Sequence, residues 1–135
     1  MIVIALATAP AASNAAEDKA AGLFVNLTTM QTSMAGHALA FADSALKRGH
    51  PAVIFLNHDA ALIAAEGVPQ TSFQGKSLTD RLNDLIAAGA KAIVCRMCME
   101  GHGMTEPNLV KGAVSSNPEL VHGYLFDPAY KVMTW

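Results

Sequence analysis

The sequence predicts an α/β fold, a three-layer α/β/α sandwich built on a five-stranded parallel sheet. Short apolar, β-branched runs alternate along the chain with stretches of helical periodicity, an order that implies right-handed crossovers between parallel strands. The best-defined strand-like runs are also apolar on both faces, as strands covered by helices on each side are.

Each element follows from local signals. Gly22 to Leu27 (GLFVNL) is an apolar run ending in Thr28 and Thr29, and reads as a buried strand. Ser33 to Arg48 places Ala35, Ala38, Leu39, Ala42, Ala45 and Leu46 on one helical stripe. Ser33 stands as its N-cap, Lys47 and Arg48 suit the negative C-terminal pole, and Gly49 with Pro51 stops it. Pro51 to Asn57 (PAVIFLN) is a second strand, and Asp59 to Glu66 a short helix. Gly67 to Lys76 lacks periodicity and reads as a long surface loop. Ser77 with Asp80 resembles a capping box, opening a helix whose Leu78, Leu82, Leu85 and Ile86 face inward until Gly89. Lys91 to Cys95 (KAIVC) is a third strand, and Met97 to His102 and Thr105 to Val110 are short helical turns. A fourth strand over Ala113 to Ser115, a helix over Pro118 to Phe126 and a last strand over Tyr130 to Thr134 complete the set. Ligands of such sheets bind beyond the carboxyl ends of the strands. Thr28 to Ser33, Asn57 to Asp59 and Cys95 to Gly103 are expected to meet there.

Composition narrows the function. The 135 residues suit one domain, and with 52% apolar and 15% charged residues the chain has too much to bury to be disordered. A net charge of −2 and 6% aromatic residues argue against a nucleic-acid partner. Two cysteines three positions apart exclude a disulfide scaffold. Nine of the 25 alanines fall in the first 21 residues, where no Lys or Arg precedes Lys19. Ile2 to Ala9 is an apolar run closed by Pro10, and Ser13 and Ala15 hold the −3 and −1 positions of a cleavage after Ala15. That is the second half of a secretory leader, too short to span a bilayer, and its missing basic start implies a start codon assigned too late. Residues 1–19 are thus expected to be a leader remnant or a disordered extension, and 20–135 the α/β domain. The first alternative makes the mature protein periplasmic and free of the membrane, the second cytoplasmic.

Chemistry concentrates in Cys95-Arg96-Met97-Cys98-Met99-Glu100-Gly101-His102-Gly103, where a strand hands over to a helix. A thiol there faces unpaired backbone N–H groups, which favour the nucleophilic thiolate, and Arg96 adds positive charge. Cys98, one turn on, can resolve an oxidised or persulfidated Cys95 as a disulfide. Four readings remain open. A thioredoxin-like redox pair fits the spacing, although the Trp and Pro that usually flank it are absent. Structural zinc lacks a fourth ligand beside Cys95, Cys98 and His102. A soft metal such as Cu(I) could use Cys95, Cys98 and His102 with Met97 and Met99, near Met30, Met34 and Met104. Two inert buried cysteines are the bland alternative. His58, after the second strand, is either a base or ligand at the same edge or a turn residue. His102 either lowers the thiol pKa as an imidazolium or sits in solvent. His37 reads as an exposed helix flank, His50 as a turn residue, and Gly75-Lys76-Ser77 lacks the first glycine and the strand of a phosphate-binding loop.

From Gly22 to about Gly112 the chain resembles the DsrE/DsrF-like sulfur-relay family. The matching pieces are Leu23 to Thr29, the helix end Ala45-Leu46-Lys47-Arg48-Gly49-His50, then Phe55-Leu56-Asn57, and Val94-Cys95 with Gly103 eight residues beyond the cysteine. The resemblance implies a five-stranded parallel sheet between helices, assembled as a homo-oligomer (trimer or hexamer). It implies that Cys95 carries persulfide sulfur with no cofactor, receiving it from a donor protein or inorganic polysulfide and yielding it to an acceptor. Cys98 matches a second cysteine of some members only. An exported copy departs from the members that relay sulfur to transfer RNA in the cytosol, and the methionines around Cys95 depart from the family pattern.

Overall fold

Short apolar strands buried on both faces build the centre of the sheet. The computed structural model describes residues 20–135, so the leader or extension expected over 1–19 lies outside the described residues. The strands are β1 (Gly22–Leu27), β2 (Ala52–Leu56), β5 (Lys91–Val94), β6 (Ala113–Ser115) and β7 (Tyr130–Thr134). They pair in the order β6-β5-β2-β1-β7, and every pairing is parallel. A two-stranded hairpin, β3 (Ser72–Phe73) with β4 (Lys76–Ser77), stands apart. The helices are α1 (Thr32–Lys47), α2 (Leu78–Ala87), α3 (Arg96–Gly101) and α4 (Pro118–Leu125), with 3-10 turns over His58–Ala64 and Glu106–Asn108. This is the expected α/β sandwich with its five parallel strands.

Crossover handedness explains the layers. From β1 through β2 and β5 to β6 the chain steps one way across the sheet, so right-handed connections keep α1 and α2 on one face. From β6 to β7 it returns across the whole sheet, and the same handedness sends α4 to the other face.

The first face carries the main core, in which Val25, Leu27, Ile54, Leu56 and Val94 meet Leu39 of α1 and Leu78, Leu82 and Leu85 of α2. Each fully buried Leu or Ile contributes about 1.5–3 kcal/mol. Ala35, Ala38 and Ala42, all 0% exposed, let α1 lie close to the strands. Gly36 goes further, because a Cβ there would lie 2.6 Å from Phe73 Cβ. The second core is smaller, Phe24, Val53 and Ile93 beneath Leu120, Val121, Tyr124 and Leu125 of α4.

Three local expectations change. Gln31, not Ser33, caps α1: its Oε1 accepts from Met34 N–H at 2.8 Å, and Ser33 Oγ donates to the same oxygen at 2.9 Å. The segment after β2 is a 3-10 helix rather than an α-helix. The long loop expected over 67–76 gives way from Ser72 to the hairpin, which runs on to Ser77 and whose two-residue turn puts Gln74 and Gly75 at φ +50° and +78°, the positive pair that a type I′ turn needs. Two-residue strands are too short to show alternation. By contrast Ser77 caps α2 as read, its Oγ accepting from Asp80 N–H at 3.1 Å. Among the described residues no helix is long and apolar enough to cross a membrane.

Candidate functional site

Parallel pairing of β5 between β2 and β6 brings three strand ends together. Cys95 N–H donates to Leu56 O at 2.9 Å, the last bond joining β5 to β2, and Ser116 N–H donates to Val94 O at 2.8 Å from the other side. The chain then turns into α3, with Cys95 as N-cap at φ −56° and ψ 115°. Its Sγ accepts from Cys98 N–H at 3.3 Å. Ser116 Oγ fixes the same turn by accepting from Arg96 N–H at 3.0 Å. Met99, 3% exposed, and Met104, 8% exposed, anchor this segment in the main core.

The one-turn spacing puts the two cysteines face to face. Their Cα atoms are 5.2 Å apart and their sulfurs within disulfide bonding range, as a three-residue offset across a helix start permits. Cys95 is 7% exposed and Cys98 more so. The second sulfur is held by the turn after β2. His58 N–H points at Cys98 Sγ from 3.1 Å, and Asn57 Oδ1 lies 3.1 Å from the same sulfur, placed to accept its proton in the dithiol form. Asn57 Oδ1 also accepts from His58 N–H at 3.1 Å as N-cap of the 3-10 helix. His58 takes φ +47° to make this turn, a left-handed conformation that His tolerates better than most residues. Each sulfur of the pair thus has its own backbone N–H donor.

The other expected residues divide. His58 reaches the pair through its backbone N–H, and its imidazole is exposed. Arg96 is exposed and its Nε lies 3.4 Å from Glu100 Oε1, so its charge is engaged on the outer face of α3. His102, the C-cap of α3, places Nε2 3.5 Å from Asp59 Oδ1 and ties α3 to the 3-10 helix. The soft-metal set of Cys95, Cys98, His102, Met97 and Met99 is split, because Met97 is 80% exposed while Met99 is 3% exposed in the core. Positions two apart on a helix point to different sides. Among the described residues no group of three or more His, Cys, Asp or Glu side chains is arranged to hold a metal ion. Of the three segments expected at this edge, Asn57 to Asp59 and Cys95 to Gly103 meet. The segment after β1 leaves the same edge beside Asn57, whose N–H donates to Leu27 O at 2.8 Å, and is held on its other side by the end of β7, Thr28 N–H and Oγ1 both donating to Trp135 O, at 2.9 and 2.6 Å.

Sequence reasoning brought Asn57 to this edge without giving it a role, and missed Ser116. Asn57 carried a readable signal, an N-capping residue type closing a strand. Ser116 carried none, since only sheet order puts the end of β6 beside the start of α3.

Comparisons with known proteins agree with this architecture. The model of the DsrE/DsrF-like family matches residues 19–135. The crystal structure of the YchN protein from E. coli superposes with a TM-score of 0.70 at 18% identity, over 84% of this chain and 99% of that one. No curated protein matches the chain significantly.

Proposed function

The chain belongs to the DsrE/DsrF-like family, and from that premise we propose that it carries sulfane sulfur as a persulfide on Cys95. Membership suggests a role in sulfur relay with partner proteins. The observation that carries the finer reading is the Cys95–Cys98 pair at the end of β5, sulfurs in bonding range and each with a backbone N–H donor.

In loading, Cys95 thiolate attacks the outer sulfur of a donor persulfide or polysulfide. A bond forms between Cys95 Sγ and that sulfur, the donor's S–S bond breaks, and its electron pair leaves on the donor thiolate. Delivery to an acceptor thiolate repeats the exchange in the opposite sense. Cys98 offers a second exit: its thiolate attacks Cys95 Sγ, closes the disulfide and expels hydrosulfide. Backbone N–H groups support the anionic sulfurs, since hydrogen bonds to charged acceptors are about twice as strong as neutral ones. Arg96, His102 and His58 border this site, and the Arg96–Glu100 ion pair and the His102–Asp59 contact would have to open before either side chain met a bound anion.

Bonding range between the sulfurs also supports a second reading, a thiol–disulfide redox protein. The sulfur comes from a protein persulfide or inorganic polysulfide and leaves to the thiol of an acceptor protein. Homo-oligomer formation belongs to the same proposal, supported by Val114, Phe126 and Val132, which are 48%, 74% and 47% exposed.

The test treats reduced protein with polysulfide and reads added sulfur by mass spectrometry, with Cys95→Ser and Cys98→Ser as controls. Sulfur on Cys95 is expected. Its absence sinks the carrier reading, and a pair that exchanges disulfides without retaining sulfur leaves the redox reading in its place.

A further inference from the structure

The closed Cys95–Cys98 bond stores two oxidising equivalents beside the atom assigned to carry sulfur. We propose that this closed pair takes up inorganic sulfide directly and converts it to protein-bound sulfane sulfur. The inference rests on the persulfide reading above and names a substrate for it.

The step balances without an outside oxidant. Hydrosulfide attacks Cys95 Sγ, forming a bond between that atom and the incoming sulfur. The Cys95–Cys98 bond breaks and its electron pair leaves on Cys98 Sγ. Sulfide is oxidised to the sulfane level and the disulfide is reduced. The proton that came with the hydrosulfide passes from the persulfide to Cys98, leaving a Cys95 persulfide anion and a Cys98 thiol. One closed pair accepts one sulfur. Renewing the closed form after delivery requires a disulfide from solution, by ordinary thiol–disulfide exchange.

Three features of the site direct the cleavage. Loss of one sulfur from a disulfide is governed by how well the departing thiolate is stabilised and by which sulfur can be reached. Cys98 is the more exposed member, so charge developing on it is better solvated than charge on Cys95. His58 N–H, 3.1 Å from Cys98 Sγ, donates to the leaving thiolate and matches the donor that Cys98 N–H gives Cys95 Sγ at 3.3 Å, so that exposure decides which sulfur departs. Asn57 Oδ1, 3.1 Å from Cys98 Sγ, then accepts from the thiol once the proton arrives. Substrate size follows from the other sulfur, since an atom belonging to a residue 7% exposed admits a two-atom anion more readily than a protein thiol.

The experiment uses full-length oxidised protein, free of reductant, exposed to sodium sulfide without oxygen, then alkylated and digested. Trypsin cuts after Arg96 and separates the two cysteines. The expected result is one equivalent of sulfur on the Cys95 peptide and a plainly alkylated Cys98, with no uptake by protein reduced beforehand. Two alkylated cysteines with no retained sulfur, sulfur mapped to Cys98, or uptake by the prereduced protein each overturns the inference. If reduced protein loads Cys95 from polysulfide while the closed pair takes nothing from sulfide, this inference falls and the carrier reading stands. Failure of both arms removes both.

Discussion

Met99 separates an anchor from a ligand, because its thioether is 3% exposed in the main core rather than beside the two sulfurs. Met99→Ala deletes a buried side chain from a helix of only six residues. Truncations of this kind cost about 2–5 kcal/mol, against a total stability of roughly 5–15 kcal/mol for a domain. Met99→Leu keeps volume and apolarity and should cost under about 1.5 kcal/mol. The loss should also be felt locally. Met99 N–H donates to Cys95 O at 2.9 Å, and Met99 O accepts from Met104 N–H at 2.8 Å, so a loosened Met99 loosens both ends of α3. Urea denaturation measures the global cost. The alkylation rate of Cys95 in the reduced protein measures the local one. Met99→Ala should lower the midpoint and speed alkylation, whereas Met99→Leu should leave both near wild type. If Met99→Leu is as damaging as Met99→Ala, the sulfur atom matters and the soft-metal reading returns.

Glycine to alanine in a helix interior ordinarily stabilises by about 1 kcal/mol, yet Gly36→Ala should destabilise by about 1–3 kcal/mol in thermal or urea unfolding. Its Cβ would press on Phe73, whose carbonyl is held by Arg81 Nε at 3.0 Å and whose ring lies 5.2 Å from the Arg81 guanidinium. A stabilised variant would show that the hairpin yields freely. Burial first, then the charges of Tyr124 and Asp127, raises the Tyr130 phenol above its usual value. The native state therefore holds that proton to higher pH than the unfolded chain. The contribution is complete below about pH 10 and is lost as pH climbs through the raised native value. A pH series of urea midpoints should fall less steeply across that window in Tyr130→Phe, and equal slopes would refute the assignment. Under the export proposal, the native protein should begin at Ala16 on N-terminal sequencing, and an intact Met1 would end that proposal.

The local elements were legible because their causes are local. Alanine periodicity marked α1, Ser77 and Asp80 marked the start of α2, and β-branched runs marked β1, β2 and β5. The β3–β4 hairpin escaped because two residues cannot display a period. Its anchor, Phe73 on Gly36, is a contact across 37 positions of chain that no spacing rule reports.

The sequence by itself determined the fold class, the family and the nearness of Cys95 to Cys98, since a three-residue offset at a strand-to-helix junction leaves those thiols little choice of neighbour. Tertiary structure decided the rest of the site. Strand order set β2 and β6 on either side of β5, which brought Asn57, the His58 backbone and Ser116 to the cysteines. Packing decided that Met99 faces the core while Met97 faces solvent. Side chains nominated by residue type, Arg96 and His102, turned to carboxylates outside the sulfur pair, Glu100 and Asp59. Type and spacing tell what a residue can do, but the neighbours it meets depend on sheet order, which distant segments of the chain fix together.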